Sequence, residues 1–177
     1  MLQQTQVKTV IPYFNNFVKQ IPSLEALSKT NEKKVLKLWE GLGYYRRAKN
    51  LHKTSKILIK KYNGKIPSSF IMLKELPGIG DYTANILLAL LYNQPRIGVD
   101  GNVKRVLSRL FDEDIWDKTN LFKTKRNNDL AEALMEFGAL MCKVKDPACS
   151  KCKIKKICSY YQLGSKIKFN KKIKIIP

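Results

Sequence analysis

Four cysteines lie close together near the C-terminal end of the chain and offer the clearest site for chemistry. The chain of 177 residues has no other cysteines, and these four span 17 positions in the pattern C-x6-C-x2-C-x5-C. They are Cys142, Cys149, Cys152 and Cys158. Convergent thiolates of this kind hold zinc or an iron–sulfur cluster. Zinc usually takes two close pairs, and only one is present here, which modestly favours a cluster. Two disulfides are the alternative, but they fit poorly with a chain that has no secretory signal.

A glycine-containing turn, Leu76-Pro77-Gly78-Ile79-Gly80, separates two predicted helices. Pro77 prevents the preceding helix from continuing, while Gly78 and Gly80 permit positive φ and a close approach of the backbone. Exposed N–H groups in such a turn bind phosphate, helped by the N-terminus of the following helix. An ordinary helix–helix turn is the alternative interpretation of the same residues.

The segment 99–107, VDGNVKRVL, places a carboxylate directly before a predicted helix. A carboxylate held in one orientation stabilises positive charge that develops in a reaction. Aspartate is also a common N-cap, and from the residues alone the cap is the favoured interpretation of Asp100. Because a cap would hold the carboxylate rigid, the two roles are compatible.

Apolar residues at the opening of the chain recur at three- and four-residue steps. They predict one face of a helix and are Val7, Val10, Ile11, Phe14, Phe17 and Val18. One turn earlier, the same face carries Gln3 and Gln4. We therefore expect a helix that already runs through residue 1, with two amides on its inward face.

Helical spacing continues along the chain, and no strand alternation is apparent. Further helices are predicted at 33–40, 44–62, 68–75, 81–93, 101–111 and 128–142, the second ending at Asn63-Gly64. Trp39 and Tyr45 are expected in the core, and the single histidine, His52, is expected to be structural. The pattern predicts an all-α protein.

The chain is strongly basic, with 34 Lys and Arg against 14 Asp and Glu and a formal charge of +20. The last 35 residues carry eleven lysines and one acid, or half of that charge. This excess favours nucleic acid as a partner, with an anionic membrane surface second, although a lysine-rich genome explains part of it. No apolar run approaches 18 residues and no signal-peptide pattern occurs, so we expect a cytoplasmic protein with no membrane partner.

Several stretches together resemble the MutY family of adenine DNA glycosylases, within the endonuclease III superfamily. They are MLQQTQV (1–7), GLGYYRRAKNLHK (41–53), LPGIGDYTA (76–84), VDGNVKRVLSRL (99–110) and the cysteine loop. The resemblance runs from residue 1 to about residue 162. It implies an all-α, two-lobed helix–hairpin–helix fold with an iron–sulfur cluster loop. The expected parts are a helical barrel at 1–98, a cluster-bearing lobe at 99–162 and a basic tail at 163–177, with the DNA cleft between the lobes.

The resemblance also implies roles for individual residues. Asp100 stabilises the cationic sugar, Asn102 assists it, and Tyr82 stands where strand-cutting relatives have a Schiff-base lysine, which implies a monofunctional glycosylase. Residues implied in strand separation, base contact or phosphate anchoring are Gln3, Gln4, Tyr44, Leu76, Gly78 and Gly80. The four cysteines are implied to ligate a [4Fe–4S] cluster whose neighbouring lysines face phosphates.

The implied function is base excision repair by a monomeric enzyme near the nucleoid. Its substrate is double-stranded DNA in which adenine is mispaired with 8-oxoguanine or guanine. In this family a general-acid glutamate precedes the opening stretch and a Nudix-like domain follows the cluster, so we expect this chain to have impaired activity. Two alternatives stay open: an endonuclease III-like glycosylase for oxidised pyrimidines, and a non-catalytic DNA-binding remnant.

Overall fold

The computed structural model describes residues 1–111 and 123–164, and throughout these ranges the regular structure is helical, with no β-strand. The prediction of an all-α fold is confirmed for this part of the chain. Positions 165–177, most of the predicted basic tail, lie outside the described residues. The chain divides into two compact units, Met1–Gly80 and Asp81–Pro177. The predicted lobe boundary near residue 98 stays a prediction.

The first unit contains five helices among its described residues. They are α1 (Val7–Gln20), α2 (Leu24–Lys29), α3 (Glu32–Leu38), α4 (Arg46–Tyr62) and α5 (Phe70–Lys74). Side-chain caps define two of the starts, because Ser23 accepts a hydrogen bond from the Ala26 N–H and Asn31 accepts one from the Lys33 N–H. The predicted end of α4 is confirmed: Asn63 terminates it in the left-handed conformation, with φ 52°.

Helix α1 departs from its prediction in two ways. It begins at Val7, and the residues before it form a turn in which Gln4 has φ 58°. The prediction of a helix through residue 1 with inward glutamines is therefore wrong, since a left-handed residue interrupts the helix and both amides are exposed.

The buried face of α1 is also narrower than predicted. Val10 and Phe17 are buried, whereas four of the predicted apolar residues are exposed, namely Val7, Ile11, Phe14 and Val18. The three- and four-residue spacing selected a stripe wider than the one that the neighbouring helices cover.

The core of the first unit forms around Trp39, which is 1% exposed. Phe17 packs edge-on against Trp39, with ring centroids 6.3 Å apart and an interplanar angle of 86°. The prediction that Trp39 is core is confirmed, but the same prediction for Tyr45 is wrong, because that ring is 44% exposed. His52 is buried in α4, as expected of a structural residue.

The second unit is built on α6 (Asp81–Tyr92), α7 (Gly101–Phe111) and α8 (Asn127–Glu136). A π-helical turn, Phe137–Met141, continues α8, and after the short helical turns Cys149–Lys151 and Lys155–Ile157 comes α9 (Ser159–Gln162). The core of this unit contains Ile97, Val103 and Leu107 from the start of α7 and the segment before it. None of the helices in the described ranges has the length and apolarity needed to cross a membrane.

Candidate active site

The Asp100 carboxylate stands at the start of α7 and uses both of its oxygens. Its Oδ1 accepts a hydrogen bond of 2.7 Å from the Val103 N–H, so it caps the helix. Its Oδ2 accepts a longer bond of 3.4 Å from the side-chain amide of Asn102. The helix therefore holds the carboxylate in a defined orientation, because its own first turn supplies both donors.

Tyr82, on α6, lies close enough to this carboxylate for the charge of Asp100 to change the pKa of its phenol. Burial, and then the negative charge of Asp100, raise the pKa of the Tyr82 phenol. The phenol donates a hydrogen bond to the Met135 sulfur at 3.3 Å. The structure thus brings together Tyr82, Asp100 and Asn102, which the sequence resemblance had grouped.

Two residues that sequence reasoning missed hold this group in place. The Arg105 guanidinium donates to Asn102 Oδ1 at 2.8 Å, to the Gly138 carbonyl at 2.6 Å and to the Cys142 carbonyl at 2.8 Å. Gly138 lies in the π-helical turn, where a Cβ would come within 2.7 Å of the Asn102 Cβ. The contacts with Gly138 and with the Cys142 carbonyl could not be found from local patterns, because they join α7 to residues more than 30 positions away.

The four cysteines are free and line one cavity. The other lining residues are mainly apolar, and they include no carboxylate and no imidazole. Burial, followed by the negative charges of the other three sulfurs, raises the pKa of the Cys149 thiol. The cysteines therefore converge as predicted, although no set of three or more His, Cys, Asp or Glu side chains in the described residues is arranged to hold a metal ion.

Arg109 connects the cavity to α7. It is 6% exposed and donates to the Lys143 carbonyl at 2.6 Å and to the Cys142 sulfur at 3.4 Å. Its guanidinium also lies 4.9 Å from the centroid of the Tyr160 ring. Arg109 therefore links α7 to the beginning of the cysteine loop.

In the first unit, the glutamines and Tyr44 are exposed rather than packed into a core. Tyr44 is 61% exposed and has φ 48°. Arg47, another residue that sequence reasoning did not identify, donates to the carbonyls of Met1 and Gln3 and lies 5.4 Å from the Tyr44 ring centroid. The structure therefore brings the opening segment and Tyr44 together through one side chain.

The predicted hairpin turn uses only one of its two glycines for a special conformation. Gly78 has φ 79°, and a Cβ there would lie 2.7 Å from Asn50 Nδ2. Gly80 does not have a positive φ, and a Cβ there would meet nothing within 4 Å, so the folded chain uses the permitted positive φ at Gly78 and not at Gly80. Leu76 is buried, and the Thr54 hydroxyl donates to the Pro77 carbonyl at 3.1 Å, which anchors the turn on α4.

The fold is shared with solved DNA glycosylase structures. A thermostable thymine-DNA glycosylase matches with a TM-score of 0.82 and 26% identity, over 92% of this chain and 80% of that one. A non-covalent endonuclease III–DNA complex matches with a TM-score of 0.74 and 25% identity, over 90% and 79%. The helical fold of this chain is thus the fold of these DNA glycosylase structures.

Residues 1–132 match the family described as HhH-GPD superfamily base excision DNA repair protein. The chain belongs to this superfamily.

Curated relatives carry a more specific name. Adenine DNA glycosylase of Buchnera aphidicola subsp. Baizongia pistaciae is 43% identical over 192 residues, covering 100% of this chain and 54% of the relative. The protein of that name from Schizosaccharomyces pombe is 37% identical, covering 98% and 41%, and the one from Homo sapiens is 35% identical, covering 89% and 31%. The chain thus spans about half the length of the first of these relatives, and less of the other two.

Proposed function

We propose that the chain is a DNA glycosylase of base excision repair that hydrolyses the N-glycosidic bond of adenine mispaired with 8-oxoguanine or guanine. The observation that carries this proposal is the Asp100 carboxylate, held by the Val103 N–H and the Asn102 amide beside the Tyr82 phenol. The names of the curated relatives support adenine as the base that is removed.

The chemistry follows from the needs of the bond that is broken. Cleavage of the bond between the base nitrogen and C1′ leaves the bonding electron pair on adenine and positive charge on the sugar. Water then adds its oxygen to C1′, and the proton that it releases balances the proton that the departing adenine takes up. A fixed carboxylate stabilises that cation, and Asp100 meets this need because its orientation is set before substrate arrives. The target base must first leave the duplex stack. We assign strand separation and base contact to Gln3, Gln4 and Tyr44.

Tyr82 bears on which glycosylase chemistry the site supports. A strand-cutting glycosylase uses an amine that forms a Schiff base with the sugar, and a phenol cannot do this. A tyrosine with a raised pKa stays neutral near pH 7, so it does not compete with Asp100 as a charge. We infer a monofunctional enzyme, which argues against the endonuclease III-like alternative.

We further propose that Cys142, Cys149, Cys152 and Cys158 hold a [4Fe–4S] cluster. The donor set supports this, because four thiols and no carboxylate or imidazole line the cavity. A single tetrahedral zinc usually takes two close cysteine pairs, whereas this loop has only one, Cys149 and Cys152. When bound, the cluster would supply folding energy to the loop by cross-linking residues 142–158.

The remaining parts of the proposal concern binding. Double-stranded DNA is the expected partner, because the chain carries a formal charge of +20 and its structural neighbours include a DNA complex. We assign phosphate anchoring to the turn of Leu76, Gly78 and Gly80. A two-lobed organisation, a monomeric state and a cytoplasmic, nucleoid-associated location remain part of this proposal.

Replacing Asp100 by Asn tests the proposal while keeping the cap, because Asn caps helices as well as Asp does. The substrate is a duplex with one adenine opposite 8-oxoguanine, in single turnover over long incubations, and the product is an alkali-labile abasic site. We expect wild-type protein to release adenine and D100N to lose about 100-fold or more in rate, with an unchanged melting temperature.

Two results would contradict this expectation. Equal rates for the two proteins would remove Asp100 from the chemistry. Tight binding to the mispair without excision by the wild type would favour the second candidate, a non-catalytic DNA-binding protein, which the basic charge and the hairpin also support.

A further inference from the structure

Two exposed residues of the first unit hold an unusual backbone conformation. Gln4 has φ 58° and Tyr44 has φ 48°, a region that residues other than glycine seldom adopt. Such strain persists only where surrounding contacts enforce it. Because neither side chain is buried, the strain does not serve core packing, and it instead sets how two surface side chains project.

Arg47 supplies the contacts that enforce the first of these conformations. Its Nη1 donates to the Met1 carbonyl at 2.7 Å and also to the Gln3 carbonyl, and its Nη2 donates to Thr5 Oγ1 at 3.0 Å. These three acceptors flank Gln4 on both sides. One guanidinium therefore closes the turn that carries Gln4.

The same guanidinium also contacts the segment that carries Tyr44. It lies 5.4 Å from the Tyr44 ring centroid and 5.5 Å from that of Trp39, and it reaches the Gly43 carbonyl at 3.5 Å. Trp39 is buried, and its indole N–H donates to the same Gly43 carbonyl at 3.2 Å. Arg47 is thus anchored on the core and contacts both strained segments.

Only arginine can make this set of contacts. Its planar guanidinium has five donors in a fixed fork and stacks on aromatic rings, whereas a lysine ammonium is a compact point charge with three rotatable donors. A lysine at this position would keep the charge but could not bond three acceptors of the opening segment and face two rings at once.

We propose that Arg47 is a positioning residue that locks residues 1–5 onto the Gly43–Tyr44 segment, so that Gln4 and Tyr44 are presented to a DNA base step as one rigid wedge. This inference rests on the proposed glycosylase function, because it assigns the wedge to the step in which the target base leaves the stack. Arg47 itself does not contact the reacting atoms.

The test measures base unstacking with 2-aminopurine in place of the target adenine, opposite 8-oxoguanine, because the fluorescence of this analogue rises when it leaves the stack. We compare wild type with R47K, and with R46K as the matched control, the same change at the neighbouring exposed position of α4. We expect the fluorescence rise with R47K to be about tenfold smaller than with wild type, and the rise with R46K to equal that of wild type. Affinity for an undamaged duplex should change less than about twofold in both.

A double-mutant cycle separates positioning from general structural support. If Arg47 acts through the wedge, adding R47K to Y44A should lower the fluorescence rise little beyond Y44A alone. Full additivity, together with a fall in melting temperature and in affinity for all DNA, would overturn the inference in favour of a purely structural role.

A second variant keeps the inference testable if R47K does not fold. Thr5→Val removes one hydrogen-bond acceptor of Arg47 and leaves the arginine in place. The matched control is Thr9→Val, which makes the same change on the exposed surface of α1. We expect T5V alone to reduce the fluorescence rise. If T5V and R47K give the same fluorescence rise as wild type, the inference is overturned and the proposed function is left intact. No rise in wild type would overturn both.

Discussion

The backbone of Gly138 lies so close to Asn102 that no side chain would fit at position 138 without displacing Asn102. A Cβ built on Gly138 would lie 2.7 Å from the Asn102 Cβ and 3.1 Å from its carbonyl oxygen. The π-helical turn that precedes the cysteine loop therefore packs directly on the residue that donates to Asp100. Single-turn π-helices frequently occur at functional sites.

Gly138→Ala should displace Asn102 and disturb Asp100 with it. We expect a loss of about 1–3 kcal/mol in the free energy of unfolding, as for other overpacked sites, and a fall in excision rate at constant DNA affinity. Gly101→Ala is the control for stability, because a Cβ there would meet nothing within 4 Å. Urea denaturation measures the first effect, and a G138A protein as stable as wild type would contradict the packing argument.

Tyr82 should make stability depend on alkaline pH. Burial and Asp100 raise the pKa of its phenol above the unfolded value of about 10. This contribution to stability is fully present below about pH 10 and is lost as the pH rises through the higher, folded pKa. Wild type should therefore lose more stability than Y82F on going from pH 9 to pH 11.5. A difference spectrum of phenolate absorbance between the two proteins should show the late titration, and identical stability profiles would exclude it.

The hairpin glycines should respond differently to substitution. Gly78→Ala forces a methyl group against Asn50 at positive φ and should destabilise the protein by about 1 kcal/mol or more. Gly80→Ala fits without a clash, so its stability should stay near that of wild type. If the backbone at Gly80 approaches a phosphate, G80A should weaken binding equally for all duplexes.

Salt titration makes that comparison quantitative, since each phosphate contact contributes about −0.9 to the slope of log K against log salt. A loss of affinity limited to the mispair would contradict phosphate anchoring.

The cysteine cavity predicts a brown protein that contains iron and sulfide in equal amounts, with a broad absorbance band at the violet–blue edge. Cys152→Ser should weaken the cluster and destabilise the loop at residues 142–158, because one of four thiolate ligands is lost. Iron and sulfide analysis of anaerobically prepared protein checks the content. Stoichiometric zinc without iron or sulfide would overturn the assignment.

The amino-acid sequence by itself determined the parts of this protein that depend on local order. The helices follow from three- and four-residue spacing, and the end of α4 follows from Asn63-Gly64. Asp100 caps α7 because it precedes that helix directly, so its structural role could be predicted from one short motif, whereas its candidate chemical role was implied by the family resemblance of that motif. The convergence of four cysteines followed from their spacing alone.

The local sequence pattern did not predict the shortest helix or the conformation at the opening of the chain. Helix α2 has six residues, which is too short for a periodic pattern, so no spacing argument could find it. The opening segment has helical spacing, yet Gln4 is left-handed, and Arg47, more than 40 positions away, binds the carbonyls of Met1 and Gln3 before it and the Thr5 hydroxyl after it.

Only the tertiary structure decided which distant residues support the candidate site. Arg105 and Gly138 hold Asn102, Met135 accepts from Tyr82, and Arg47 joins the opening segment to Tyr44. The contacts of Gly138 with Asn102, of Tyr82 with Met135, and of Arg47 with the carbonyls of Met1 and Gln3 join residues that are distant in the chain, so no short window of sequence contains both partners. Long-range packing selects the partner, because a half-buried guanidinium or sulfur is stabilised by whichever groups the folded chain places within reach.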